Sequence, residues 1–154
     1  MRLLFGIISL VVLAGCDQPL ASTTEKPSMI TTPSHEVMIA YQYINYNETT
    51  HRQELKEVLG VDPVRTEWCA AFVNAVLRDS GVDGSESVSS YPLTARSFIE
   101  WGKPVEEPQS GDVVVFPRGN VAWQGHVGFY LRTITLDGVD YYYILGGNQD
   151  NSVS

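Results

Sequence analysis

The sequence predicts an α+β fold in which helices from the first part of the chain pack on an antiparallel β-sheet formed by the last part. Up to residue 101 the apolar residues recur with the spacing of amphipathic helices. From residue 112 onward they form short runs rich in valine, phenylalanine and tyrosine, which are typical of strands. The turn sequences Gly119-Asn120 and Asp137-Gly138 separate these runs, so neighbouring strands are expected to be antiparallel.

The helical part is expected to contain three helices and one shorter helical stretch. The first helix covers about residues 36–45 with Ser34 as its N-cap, because a serine oxygen can accept a hydrogen bond from the first turn. The second covers about residues 50–59 and ends at Gly60. The shorter stretch covers residues 93–101.

The third helix is the best defined and carries the most reactive side chain. It is expected to start after Thr66 as N-cap and to end at Gly81, with apolar residues along one face. Cys69 then lies in its first turn, where free N–H groups and the positive end of the helix dipole lower the pKa of a thiol. Because a thiolate is a nucleophile, this segment indicates a cysteine hydrolase.

The strand part supplies a candidate base for that nucleophile. Strands are predicted at residues 112–117, 126–132 and 141–145. The second begins with His126, which has glycines on either side and can therefore be approached closely by a backbone or a ligand. An imidazole beside Cys69 would take the thiol proton, so these two residues form the candidate catalytic pair.

A third polar residue is needed to hold the imidazole in its useful tautomer. Asn148 is the first candidate, because it follows the third strand, the expected hairpin partner of the strand that carries His126. Gln149 and Asp150 are less well placed alternatives, and a purely turn-forming role for Asn148 also stays open.

Two tryptophans are candidates for substrate binding. Trp68 precedes the nucleophile and Trp123 lies in a loop before His126, so both could line a groove, although large aromatic side chains also simply wall an active site. No zinc-ligand spacing or phosphate-binding glycine loop is found, so no metal or cofactor is expected. The formal net charge of −8 makes nucleic acid an unlikely partner.

The first fifteen residues are typical of a secretory signal, with Arg2 followed by an apolar stretch that is too short to span a membrane. They end in Leu-Ala-Gly-Cys, which resembles the bacterial lipobox and predicts lipidation of Cys16. A disulfide between Cys16 and Cys69 is the alternative. Asp17 resembles an inner-membrane retention signal, so a lipid-anchored protein of the periplasm is expected, with the inner membrane favoured.

Residues 16–35 form a tether rich in serine, threonine and proline, and residues 36–154 form the folded domain. Within that domain four motifs occur in order, at residues 68–74, 108–116, 125–130 and 144–149. Together they resemble papain-like peptidoglycan hydrolases of the CHAP and NlpC type over about residues 37–154. One position departs from the pattern: many CHAP domains have a glutamate where this chain has Gly146.

The resemblance implies a cysteine amidase or peptidase that cuts amide bonds in peptidoglycan. It implies Cys69 as nucleophile, His126 as base and Asn148 as the polar third residue. We expect the domain to be a monomer. The alternative is a catalytically impaired wall-binding module of the same papain-like fold, because Gly146 lacks the carboxylate. Acyl transfer onto lipid is a third possibility.

Overall fold

Helix α1 (His35–Tyr41) begins where the sequence predicts. The Ser34 hydroxyl accepts a hydrogen bond from the Val37 N–H at 3.3 Å, so the predicted N-cap is confirmed. The structure is a computed structural model, and it describes residues 32–154. The predicted signal peptide, Cys16, Asp17 and most of the tether lie outside the described residues.

Helix α2 (Arg52–Leu59) and helix α3 (Cys69–Asp79) follow, and each ends close to a glycine. Gly60 caps α2 with φ of +70°, a left-handed conformation that glycine adopts without steric cost. Short 3₁₀ segments at Ser85–Ser87 and Ala95–Ile99 lead to the sheet. No helix among residues 32–154 is long and apolar enough to cross a membrane.

The start of α3 differs from the prediction. Trp68, and not Thr66, is the N-cap residue, and the first helical hydrogen bond runs from the Phe72 N–H to the Trp68 carbonyl at 2.9 Å. Trp68 is fully buried, so tertiary packing of its indole decides where the helix begins, and the threonine cap suggested by the sequence is wrong. Cys69 is therefore the first residue of the helix.

The sheet has three antiparallel strands in the order β1 (Val113–Pro117), β2 (Gly125–Leu136) and β3 (Val139–Leu145). Val115 pairs with Val127 on one side of β2, and Phe129 pairs with Leu145 on the other. Asp137 and Gly138 have φ of 52° and 77°, as a two-residue hairpin turn requires. The predicted α+β fold, with helices packed on an antiparallel sheet, is confirmed.

Helix α3 lies at the centre of the domain. Every residue from Cys69 to Leu77 is buried, because α1 and α2 cover one side of the helix and β2 covers another. Val127 and Phe129 of β2 are fully buried in the same core. The start of α3 and the start of β2 are thereby packed together, which places Cys69 near His126.

After β3 the chain forms an irregular segment, residues 146–154, that folds back on the domain. Ser154 pairs with Gly146 through two main-chain hydrogen bonds of 3.0 and 3.2 Å. Val153, which is fully buried, exchanges main-chain hydrogen bonds with Asn45 and Tyr46 after α1. Segment 146–154 is thus held by residues from distant parts of the sequence.

Candidate active site

The Cys69 thiol lies at the junction of α3 and β2 and is only 7% exposed. Burial raises the pKa of the Cys69 thiol above its usual value, since a thiolate loses its hydration there. The main-chain N–H groups of Val127 and Ala70 and the charge of Arg118 act in the opposite direction but do not overcome burial. The expectation of a lowered thiol pKa is therefore wrong.

The His126 imidazole is equally buried, with 7% exposed, at the start of β2. Burial lowers the pKa of His126, and the positive charge of Arg118 lowers it further, whereas a hydrogen bond to Gln149 acts in the opposite direction. Both directions favour the neutral forms of Cys69 and His126 near neutral pH. The structure brings them together, because Val127, the residue after His126, directs its N–H to the Cys69 sulfur.

The residue that contacts the imidazole is Gln149. Its Oε1 lies 3.1 Å from Nε2 of His126. The amide nitrogen of Gln149 donates to the Ile144 carbonyl at 3.4 Å and to the main-chain oxygen of Ser154. Because both groups near this nitrogen are acceptors, the amide cannot be reversed, and its oxygen must face the imidazole.

Asn148, predicted for this role, lies elsewhere. Its Nδ2 donates to Oε2 of Glu67 at 2.7 Å. The left-handed backbone at Asn148, with φ of 59°, turns its side chain toward Glu67 and leaves the imidazole to the amide of Gln149. The predicted contact between Asn148 and His126 is therefore wrong, and the alternative residue Gln149 makes it.

Gly146 explains why a glutamine can take that place. A Cβ atom at position 146 would lie 3.3 Å from Nε2 of His126 and 3.6 Å from Cδ of Gln149. A carboxylate side chain at this position would therefore crowd the same edge of the imidazole. Glycine leaves this space open, and the amide of Gln149 fills it.

The two tryptophans differ in their surroundings. Trp68 is 0% exposed, and its indole N–H donates to Oε2 of Glu48 at 3.1 Å. The prediction that Trp68 binds substrate is wrong, because the core covers its ring. Trp123 is 60% exposed in the loop of residues 118–124, and its role in substrate binding stays a prediction.

The loop of residues 118–124 contributes to the lining of two cavities. We call the first the aromatic cavity; it has about 560 Å³ and is lined among others by Tyr91, Thr94, Arg96, Glu100, Ala122 and Trp123. We call the second the charged cavity; it has about 520 Å³ and is lined among others by Glu48, Arg65, Glu67, Arg118, Asn148 and Asp150. Neither Tyr91 nor Arg118 is predicted from the sequence as a site residue. The signal for Arg118 was its place just before the turn that leads to His126.

Among residues 32–154 no group of three or more histidine, cysteine, aspartate or glutamate residues is placed to hold a metal ion. Within the same residues Cys69 forms no disulfide. The groups available for chemistry are thus the thiol, the imidazole, the Gln149 amide and the N–H groups at the start of α3.

The family model of the CHAP domain matches residues 61–148, which is more than half of the chain. The chain belongs to the CHAP domain family. CHAP domains are generally amidases or peptidases, and the family points to peptidoglycan as substrate. Neither the curated proteins nor the solved structures that were searched include a match to this chain. The match covers Cys69, His126 and Asn148 and ends just before Gln149, so the residue that holds the imidazole in this CHAP domain lies outside the matched range.

Proposed function

We propose that this CHAP domain is a cysteine hydrolase that cuts amide bonds in peptidoglycan, with Cys69 as nucleophile and His126 as base. The observation that carries the proposal is the fixed orientation of the Gln149 amide. Its oxygen faces Nε2 of His126 at 3.1 Å, so Nε2 must carry the proton of the neutral imidazole. Nδ1 is then left with a lone pair that can accept the thiol proton.

The reaction starts from the neutral pair. As the Cys69 sulfur attacks the carbonyl carbon of the amide, its proton moves to Nδ1 of His126. The developing oxyanion is stabilised by N–H groups at the start of α3, which no side chain caps, in contrast to the Ser34 cap of α1. The Gln149 oxygen then holds the imidazolium through the Nε2 proton.

The second half of the reaction regenerates the thiol. The imidazolium gives its Nδ1 proton to the amide nitrogen, the carbon–nitrogen bond breaks, and a thioester with Cys69 remains. Water attacks the thioester carbon while His126 accepts a proton from it. The carboxylic acid leaves, and the proton returns to the sulfur.

Digestion of purified sacculi tests the proposal. The protein and its Cys69→Ala and Cys69→Ser variants are incubated with sacculi, and the released fragments are identified by mass spectrometry. We expect fragments with the unmodified protein alone. Release of the same fragments by Cys69→Ala would contradict the role of the thiol, and no release by any of the proteins would contradict hydrolysis.

The alternative of a catalytically impaired wall-binding module rests on Gly146, which lacks the family carboxylate. If it holds, the sacculi bind the protein but remain intact, and Gln149 variants bind as well as the unmodified protein. The third possibility, acyl transfer onto lipid, requires intact sacculi together with a thiol that still forms an acyl-enzyme.

We also propose that the protein is anchored by a lipid at Cys16 and faces the periplasm. The support is the sequence of residues 1–17, with its signal-like apolar stretch and lipobox. Labelled palmitate should be incorporated into the unmodified protein and not into Cys16→Ser. A Cys16→Ser variant that still takes up the label would contradict the anchoring site.

A further inference from the structure

The turn that carries Gln149 has two residues in a left-handed conformation. Gln149 and Ser152 exchange two main-chain hydrogen bonds of 2.9 and 3.0 Å. Between them Asp150 and Asn151 have φ of 49° and 60°, as the two central residues of a type I′ turn require. Two consecutive non-glycine residues in this region raise the energy of the backbone, so contacts from outside must hold the turn. We call residues 149–152 the Gln149 turn.

Asn47, in the loop before α2, makes such contacts. Its Nδ2 donates to the main-chain oxygen of Asn151 and to Oγ of Ser152, both at 3.1 Å. Asn47 and Ser152 also form an antiparallel bridge. The main-chain N–H of Glu48 donates to the same Asn151 oxygen at 2.9 Å. One side of the Gln149 turn is therefore fixed by an amide from a distant part of the sequence.

The Asn47 amide has a fixed direction. Its Oδ1 accepts from the main-chain N–H groups of Thr49 and Thr50 at 3.0 and 3.4 Å, and from the Thr49 hydroxyl at 2.6 Å. Because main-chain N–H groups only donate, the oxygen must face them. The nitrogen then faces the carbonyl oxygen of Asn151, which only accepts. The donor side of Asn47 is thus directed at the Gln149 turn.

The start of α2 holds Asn47 itself. The Asn47 N–H donates to Nδ1 of His51 at 3.3 Å, and the His51 N–H donates to the Asn47 carbonyl at 2.8 Å. The His51 ring stacks on Tyr46, with ring centroids 4.4 Å apart. Asn47 is therefore anchored at a helix that contributes neither the thiol nor the imidazole of the candidate active site.

From the Gln149 turn the contacts continue to the imidazole. Ser152, which accepts from Asn47, is paired with Gln149 through the main chain. Oε1 of Gln149 lies 3.1 Å from Nε2 of His126. The Gln149 amide nitrogen donates to the main-chain oxygen of Ser154, two residues after the turn. A shift of the turn would therefore move both the amide that faces the imidazole and an acceptor that orients this amide.

We propose that Asn47 is a positioning residue: it holds the Gln149 turn and thereby keeps the Gln149 amide directed at the His126 imidazole. This inference rests on the proposed function, because the orientation of His126 matters for hydrolysis only if His126 is the base for Cys69. The effect of Asn47 on that orientation is measured without any substrate.

Nitrogen-15 NMR of His126 in the full chain tests this effect. We expect the Nε2-protonated tautomer in the unmodified protein and a mixture of tautomers in Asn47→Ala, as in Gln149→Leu. Asn47→Asp should give a mixture as well: it keeps the volume and the oxygen that faces Thr49, but places a second oxygen against the Asn151 carbonyl. An unchanged His126 spectrum in both Asn47 variants would overturn the proposal.

Two controls separate the orientation of His126 from a general loss of stability. Thr49→Val removes a hydroxyl on the acceptor side of Asn47 and leaves both bonds from its nitrogen to the turn. Gly60→Ala strains the left-handed residue at the other end of α2, where the added Cβ meets nothing within 4 Å. Both controls should keep the Nε2-protonated tautomer. A mixture in Gly60→Ala would overturn the proposal, because loss of stability alone would then produce it.

A double variant shows whether Asn47 acts through Gln149. On solubilised peptidoglycan we expect Asn47→Ala to lower kcat about tenfold with KM nearly unchanged, because a misplaced base slows the chemical step. In a Gln149→Leu background the same substitution should change neither kcat nor the His126 tautomers further. Losses that multiply would overturn the route through Gln149. If the unmodified protein cuts no peptidoglycan, the proposed function fails, while the NMR comparison still decides the role of Asn47.

Discussion

Helix α3 and segment 146–154 hold the two halves of the candidate active site in different ways. Helix α3 is regular, and its residues from Cys69 to Leu77 are buried. Segment 146–154 contains three non-glycine residues with positive φ, Asn148, Asp150 and Asn151, and is held by hydrogen bonds to residues 45–48. The Cys69 thiol is thus positioned by a local pattern of residues, whereas the His126 imidazole is oriented by contacts between distant parts of the chain.

The largest effect is expected from changing the amide that orients the imidazole. Gln149→Leu removes the acceptor for Nε2, so we expect kcat to fall about 10- to 100-fold, as for other residues that orient a functional imidazole. Because the hydrogen bond to Gln149 acts to raise the pKa of His126, its loss should move the acid limb of activity to lower pH.

Gln149→Glu distinguishes this positioning role from a structural one. A carboxylate favours the charged imidazole and raises the pKa of His126, so the acid limb should move to higher pH while activity recovers above it. Nitrogen-15 NMR of His126 should show the Nε2-protonated tautomer in the unmodified protein and a mixture in Gln149→Leu. An unchanged pH profile in both variants would contradict the claim that segment 146–154 orients the His126 imidazole through Gln149.

The second largest effect is expected at the contact between helix α3 and segment 146–154. A Cβ atom at Gly147 would lie 2.6 Å from Cβ of Phe72 and from Cζ3 of Trp68, so segment 146–154 packs on α3 without room for a methyl group. Gly147→Ala should lower the free energy of unfolding by about 1–3 kcal/mol, measured by urea denaturation. Gly102→Ala is the control, because nothing lies within 4 Å of its added Cβ. Equal stability of the two variants would show that the contact is loose.

The third prediction concerns the thiol at the start of α3. Since burial raises the pKa of Cys69, alkylation by iodoacetamide in a Cys16→Ser protein should be slow at pH 6 and rise about tenfold per pH unit through neutral pH. The same protein in urea should titrate at the ordinary thiol pKa. Fast alkylation at pH 6 in the folded protein would show a preformed thiolate and contradict the neutral pair.

The smallest effect is expected for Asn148→Ala. The hydrogen bond from Asn148 to Glu67 is exposed, so its loss should cost less than about 1 kcal/mol of stability and change kcat less than about threefold. Alanine is strained in the left-handed backbone of Asn148, so stability should fall by about a further 1 kcal/mol. Steady-state kinetics of Asn148→Ala beside Gln149→Leu measures this. A larger loss for Asn148→Ala would return the orienting role to the residue favoured by the sequence.

The sequence predicts the structure correctly where neighbouring residues determine it. The α+β order, the hairpin at Asp137-Gly138 and the position of Cys69 near a helix start follow from spacing and turn chemistry. The start of α3 at Trp68 and the burial of its ring follow from packing, which spacing does not reveal. Which of Asn148 and Gln149 contacts the imidazole depends on the left-handed backbone at Asn148 and on the carbonyl oxygens of Ile144 and Ser154, which accept from the Gln149 amide. The order of the motifs in the sequence does not reveal these contacts.

The loop of residues 118–124 has a consequence for how specificity can be altered. Its ends are joined by a hydrogen bond from the Arg118 N–H to the Gln124 carbonyl at 3.3 Å, and its residues reach both cavities. Lengthening or shortening the loop between these ends would change the spacing of the two cavities without replacing Cys69, His126 or Gln149. Loop length is therefore a way to change the shape of the two cavities while the thiol, the imidazole and the amide are kept.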